Sequence, residues 1–298
     1  MILFSLAGYE HALAPLPRTV QRGTFEICRF ENGELFVRLS TPVRQEHCVI
    51  LGSVAPPDER LLSLALLAHT LKKEGCQKLT AFLPYMAYSR QDKDKPGESL
   101  AVAWLGSVLK ASGVDDVFTV DVHSERDKQL FQLPLMSIFP ADLFASAIKQ
   151  NLMTNATIVA PDKGAIPRSE AVNRSLGRPD CAIPYFEKKR DRTGIKHTEM
   201  FGSVGPRAII IDDILDTGAT LISACNRLLQ VGTREIFIMV THGLFTGTSW
   251  KELWSLGVQQ IFCTDTVPPT KEMLNEARIR TLHVGQLLKE QLGDPGGC

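Results

Sequence analysis

The sequence predicts an α/β protein made of two similar doubly wound parallel-sheet domains. Three observations carry that prediction. First, a glycine, a two- or three-residue connector and a short β-rich run recur four times: Gly75 before Leu79–Leu83, Gly113 before Val117–Val120, Gly232 before Ile236–Val240 and Gly257 before Ile261–Thr264. A glycine in the left-handed conformation ends helices in this way. Second, the segments ahead of three of these glycines carry apolar residues at helical spacing: Leu61, Leu64, Ala65, Ala68 and Leu71; Ala101, Trp104, Leu105, Val108 and Leu109; Leu221, Ala224, Leu228 and Leu229. Third, Ile209-Ile210-Ile211 is continuously apolar, as in a strand covered on both faces.

Taken in order, Met1 to Ala7 reads as a first strand, because no basic region precedes it and Gly8-Tyr9-Glu10 follows at once. Strand–helix–strand sets around residues 49–121 and 157–265 then build the two sheets. The joint falls near Phe139-Pro140, giving an N-terminal domain over 1–139 and a C-terminal domain over 140–280. The stretch from Ile279 to Val284 and the amphipathic Leu287-Leu288-Leu292 are expected to return to the first domain, with 281–298 packing on it and a frayed tail from Gly293.

Net charge is zero, with 33 basic and 33 acidic residues, so nothing favours binding to nucleic acid or an anionic membrane. No apolar run is long enough to span a bilayer. The seven cysteines show no metal-ribbon or thioredoxin spacing, and they suit a reducing cytoplasm.

The most informative segment runs from Ile209 to Thr220. A buried strand leads to Asp212 and Asp213, then to the small-residue turn Asp216-Thr217-Gly218-Ala219-Thr220 and a helix beginning near Leu221. Unpaired N–H groups at a helix start hold phosphate, and two threonine hydroxyls add donors. The acidic pair repels phosphate and suits sugar hydroxyls or a hydrated divalent cation. Phosphate at one end and a polyol or metal at the other describe a sugar-phosphate site.

Four further loops follow apolar runs. Pro84 to Glu98 alternates Lys, Asp, Pro and Gly around Arg90 and Gln91 and reads as a mobile basic segment, of the kind that closes over phosphates. His123, directly after Val120-Asp121-Val122, is open to three readings: metal ligand, acid or base, or hydrogen-bonded core group. Asp162 and Lys163 sit in a Gly-containing turn after Ala160, with Asp162 suited to a second cation contact. Glu187 to Arg192 clusters cations that can neutralise a transferred phosphoryl group, or lie solvated on the surface. No P-loop and no G-x-G-x-x-G fingerprint occurs, so nucleotide binding must rest on other loops.

The Ile209–Thr220 run resembles the signature of the type I phosphoribosyltransferase fold. Further segments extend the resemblance over almost the whole chain: Arg29-Phe30-Glu31-Asn32-Gly33-Glu34, Tyr88-Ser89-Arg90-Gln91-Asp92, Thr119-Val120-Asp121-Val122-His123, Ala160-Pro161-Asp162, Lys188-Lys189-Arg190, Thr241-His242-Gly243-Leu244-Phe245 and Cys263 to Pro268. In that order they resemble the ribose-phosphate diphosphokinases, which make phosphoribosyl diphosphate (PRPP), in a shorter-loop form. The resemblance implies transfer of a diphosphoryl group from Mg-ATP to the anomeric hydroxyl of ribose 5-phosphate. It implies that His123 and Asp162 contact Mg²⁺ and that Lys188 and Arg190 stabilise the transition state. Arg190, Asp212, Asp213, Asp216, Thr217, Gly218, Ala219 and Thr220 would hold ribose 5-phosphate. Arg90 and Gln91 would contact ATP, with Phe30, Asn32, Gly33 and Glu34 reaching the ATP site of a neighbouring copy in a homo-oligomer.

This chain has Asn32 where the family usually has Asp, and Lys93 and Lys95 where arginines are common, so each loses a charge or a bidentate fork. Two rivals are a transferase that consumes PRPP and a non-catalytic regulatory subunit. The Arg90-Gln91-Asp92 and Lys188-Lys189-Arg190 loops, together with His123 and Asp162, argue against the first, and the retained His123, Asp162, Lys188, Arg190 and Asp212 argue against the second.

Overall fold

The structure is a computed structural model that describes residues 1–9, 20–191, 194–287 and 289, with 188–191 and 194–198 described as backbone only. The chain divides into two compact units, Met1–Ile138 with Val284–Cys298, and Phe139–His283.

The first unit contains β1 (Ile2–Ser5), β2 (Gln21–Arg22), β3 (Phe25–Arg29), β4 (Leu35–Leu39), β5 (His47–Leu51), α1 (Glu59–Lys73), β6 (Lys78–Leu83), α2 (Ala101–Ala111), β7 (Asp116–Val120), α3 (Glu125–Leu130) and β8 (Leu135–Ile138). Its main sheet is parallel, in the order β2-β1-β5-β6-β7-β8. Leu3, Val49, Leu51, Phe82, Phe118 and Val120 form one apolar layer, and Leu287 packs against it. Helix α1 turns Leu61, Leu64, Leu67, Ala68 and Leu71 inward. Strands β3 and β4 stand apart as an antiparallel pair.

The second unit contains α4 (Ala141–Gln150), β9 (Thr157–Val159), α5 (Ile166–Ser175), β10 (Tyr185–Asp191), β11 (Gly194–Phe201), β12 (Arg207–Leu215), α6 (Ala219–Gln230), β13 (Glu235–Gly243), α7 (Glu252–Ser255), β14 (Val258–Thr264), α8 (Lys271–Asn275) and β15 (Ile279–Leu282). Its sheet is parallel throughout, in the order β15-β14-β13-β12-β9. Alternate residues of β12 serve opposite layers. Ile209 and Ile211 pack with Phe144, Ile148 and Val172 of α4 and α5. Ala208 and Ile210 pack with Leu221, Ala224 and Leu228 of α6. That two-sided cover explains the unbroken isoleucine run. Strands β10 and β11 form a second separate antiparallel hairpin.

Several expectations need correction. Trp104 is 48% exposed, because it meets Tyr88 edge-on at 5.6 Å and does not enter the core. Leu229 is also exposed, one residue before the end of α6. The helix after the threonine turn begins at Ala219, two residues before Leu221. Residues Ile279–Leu282 do not return to the first unit: they hydrogen-bond to β14 as the edge strand of the second sheet. The run Glu187 to Asp191 is strand, because a hairpin outside the sheet can carry charge on both faces. Leu288, Leu292 and the tail from Gly293 lie outside the described side chains. Among the described residues, no helix is long and apolar enough to cross a membrane.

Candidate active site

In the second unit the site grows from the carboxyl end of β12. The strand stays paired with β13 through Leu215↔Gly243. The chain then turns through Asp216-Thr217-Gly218 into α6. Gly218 has φ +88°, and a Cβ there would lie 2.9 Å from Trp250 Cα. Only glycine satisfies both the left-handed backbone and that close approach. Trp250 is buried under the turn, and its indole N–H donates to Gly247 O at 3.1 Å. From the other side, Leu244 and Phe245 donate backbone N–H groups to Leu215 O, at 2.8 and 3.1 Å, and Thr246 donates to Asp216 O at 3.1 Å. The first bond of α6 runs from Ile222 N–H to Gly218 O at 2.8 Å. The N–H groups of Ala219, Thr220 and Leu221 therefore have no acceptor within the helix, and they sit at the positive end of its dipole. Thr217 and Ala219 are exposed there, with Asp216 and Thr220 half-buried.

Asp212 and Asp213 precede this turn. Asp213 is buried, and its N–H donates to Asp212 Oδ1 at 3.0 Å. Burial, then the neighbouring Asp213 and Asp162 charges, push the Asp212 carboxyl well above the usual carboxylate range, while Arg168 pulls it down. Arg168 Nη2 lies 4.0 Å from Asp213 Oδ2. Asp162 follows β9 and caps a short 3₁₀ turn, accepting from Gly164 N–H at 2.9 Å. The β10–β11 hairpin begins beside it: Ala160 N–H donates to Pro184 O at 2.9 Å, and Lys163 lies over the Tyr185 ring. Positions 188 and 190 are two apart on β10, opposite His197 and Ile195, and only their backbone is described.

In the first unit, His123 is exposed just beyond β7. Ser124 next to it donates its hydroxyl to Asp92 Oδ2 at 3.0 Å and its N–H to Asp127 Oδ2 at 3.1 Å. Burial raises the Asp127 carboxyl to about 6; nearby Asp92 adds to the rise, and His123 opposes it. Arg90 and Gln91 are exposed on the segment after β6, where Gln91 Oε1 accepts from Ser99 Oγ at 3.0 Å. Phe30, Asn32, Gly33 and Glu34 make the turn of the β3–β4 hairpin. Gly33 N–H donates to Phe30 O at 2.8 Å, Glu34 N–H donates to Asn32 Oδ1 at 3.1 Å, and Phe30 is 56% exposed.

Within the second unit the structure thus brings together Asp162, Asp212, Asp213 and the 216–220 turn. Within the first it joins the Asp92 and His123 segments through Ser124. Arg168 escaped the sequence reading. Its only signal was position: six residues after Asp162, next to the Ile166-Pro167 pair that opens α5.

Comparison with known proteins identifies the family. A family model for the N-terminal domain of ribose phosphate pyrophosphokinase matches residues 14–113, and one for the phosphoribosyl synthetase-associated domain matches residues 171–293. A ribose-phosphate pyrophosphokinase of Agrobacterium fabrum is 31% identical over 92% of this chain and 89% of its own length. One from Haemophilus influenzae is 30% identical over 92% and 88%. The crystal structure of phosphoribosylpyrophosphate synthetase from Mycobacterium smegmatis superposes with a TM-score of 0.86 at 25% identity, covering 98% of this chain and 97% of that one. With two parallel α/β sheets, a left-handed glycine turn after an acidic pair and relatives alike over nearly their whole length, this chain belongs to the ribose-phosphate pyrophosphokinase family.

Proposed function

We propose that the chain transfers the diphosphoryl group of ATP to the anomeric hydroxyl of ribose 5-phosphate, forming PRPP and AMP. The observation that carries this reading is the turn at Gly218: a left-handed glycine feeds a 12-residue helix five residues after two adjacent carboxylates on a buried strand. The N–H groups and hydroxyls of Thr217 to Thr220 take the 5-phosphate, and Asp216 orders the turn. Asp212 and Asp213 face the sugar hydroxyls. Lys188 and Arg190 supply positive charge to the transferring group, with Arg190 also touching ribose 5-phosphate. Such charge accelerates the reaction to the extent that it meets the transition state better than the ground state.

Arg90 and Gln91 bind ATP, and Phe30, Asn32, Gly33 and Glu34 complete the ATP site of a neighbouring copy in a homo-oligomer. The exposed phenyl ring of Phe30 and the tight turn around Asn32 support that reading. Buried thiols at Cys48, Cys76, Cys225 and Cys263 suit a cytoplasmic enzyme.

Magnesium fits the donor set. Among the described residues no three His, Cys, Asp or Glu side chains form a closed cage. Mg²⁺ usually takes one or two carboxylates and keeps waters and phosphate oxygens as its other ligands. Asp162 offers the hard oxygen donor, and His123 is the second protein contact we assign. When bound, the ion would neutralise phosphate charge and orient the nucleotide.

The test is to mix the purified chain with Mg-ATP and ribose 5-phosphate and to measure AMP and PRPP. Both should appear in equal amounts. Correctly folded protein that gives no AMP above the protein-free control sinks the reading, and activity with PRPP and a nucleobase instead makes the chain a transferase.

A further inference from the structure

We infer that Arg168 is a positioning residue for the sugar-phosphate site, acting through Asp213 to fix the acidic pair at the end of β12. This deepens, and rests on, the proposed reaction.

Two periodicities bring Arg168 and Asp213 to one seam. On β12, Ile209, Ile211 and Asp213 share one face by the alternation of a strand. On α5, Arg168 lies four residues before Val172 and so shares its stripe. Val172 packs in the same apolar layer as Ile209 and Ile211. The seam between helix and strand therefore runs apolar along its length and ends, at the carboxyl edge of the sheet, in the Arg168–Asp213 ion pair. The two side chains are only 13% and 8% exposed.

The apolar seam already docks α5 on the sheet, so the fold does not need an ion pair there. A buried pair is weak evidence of stability, because apolar residues of similar volume often serve as well or better. Its place explains it better. Asp162 and Asp213 both act on the Asp212 carboxyl here, and Arg168 is a cation that opposes them there. Arg168 also stands on the helix that the Asp162 turn leads into, so one guanidinium links the two segments that carry all three acids. Because Asp213 N–H donates to Asp212 Oδ1, a shift of Asp213 is passed directly to Asp212. Arg168 thus sets where Asp212 presents its oxygens without touching the substrate itself.

Four variants test this: Arg168→Met, Arg168→Lys, Asp213→Asn and the double Arg168→Met/Asp213→Asn. The readouts are calorimetric binding of ribose 5-phosphate alone, the two KM values, and the melting temperature. Arg168→Met should weaken ribose 5-phosphate binding about tenfold, with KM for ATP within about twofold of wild type. Arg168→Lys should recover part of that loss, because it keeps the charge and loses the fork. The double variant should bind within about twofold of Asp213→Asn alone, since the orphaned carboxylate is gone. Wild-type binding by Arg168→Met, or losses that simply multiply in the double variant, overturn the inference. Should Arg168→Met fail to fold, Arg168→Lys against wild type and the double variant against Asp213→Asn decide the matter. Wild-type protein that binds no ribose 5-phosphate overturns the proposed reaction as well, whereas normal binding by both wild type and Arg168→Met overturns this inference alone.

Discussion

Replacing Gly218 by alanine isolates the demand that the Asp216–Thr220 turn makes on the backbone. Two costs combine. An L-residue held in the left-handed region costs about 1–2 kcal/mol. The new Cβ would also stand 2.9 Å from Trp250 Cα and 3.1 Å from Trp250 Cβ, and Trp250 is itself buried against Phe245 and Trp254. Overpacking of that kind costs roughly 1–3 kcal/mol, for a total of roughly 2–5 kcal/mol. At roughly 2–4 °C per kcal/mol for a unit of this size, the transition of the second unit should fall by about 4–20 °C. Gly232→Ala is the matched control: its φ is +95°, but nothing lies within 4 Å of the added carbon. It should show the first cost alone. Thermal unfolding of both variants, followed by the KM for ribose 5-phosphate, separates strain from crowding. Gly218→Ala should raise that KM at least about tenfold, because the N–H groups of Ala219 and Thr220 move with the turn. Equal melting temperatures for the two variants, or an unchanged KM, would refute the reasoning.

Three other outcomes are expected. Lys188→Ala should lower kcat by about 10²–10³-fold while substrate affinities change little, as for a charge wanted in the transition state; a higher KM at normal kcat contradicts that role. Asp216→Ala should impair use of ribose 5-phosphate more than ATP binding, and an effect on ATP alone would show that the turn serves the wrong ligand. Asp127 gives a pH signature. Its folded carboxyl holds a proton up to about pH 6 against an ordinary value of 3.8, so its contribution is complete below the ordinary value and disappears as pH rises through about 6. The lost stability amounts to about 2–3 kcal/mol. Asp127→Asn should remove that decline in unfolding free energy between pH 4 and pH 7 (about the window set by those two values); a decline of the same size in the variant would assign it to another group.

Much of the fold could be read from the chain because its signals are local. A glycine that closes a helix and a run of isoleucines buried on both sides are each visible within a dozen residues or so. The candidate site segments stand where the strand pattern put them: Asp162, His123 and the 216–220 turn each follow a parallel strand at its carboxyl end. What escaped was set by distant partners. The β3–β4 hairpin carries charge at exposed positions, and β3–β4 and β10–β11 both stand outside the main sheets as antiparallel pairs, where no apolar run announces them. Trp104 fitted a helical stripe, but its neighbour is Tyr88, sixteen positions earlier in the chain, and not the core. Ile279–Leu282 looked like part of the returning tail until the β14 edge claimed it. Arg168 gained meaning only from the alternation of β12 across the sheet.

The placement of Leu287 has a consequence for biosynthesis. It packs in the first unit beside Leu3, Val49 and Phe118, yet it leaves the ribosome only after every strand of the second unit. During translation the first unit must wait with that part of its apolar surface uncovered, while the second can close its own sheet. Removing the segment from Val284 onward should therefore expose a sticky face on the earlier-made half and leave the later-made half intact, making nascent chains clients for holding chaperones.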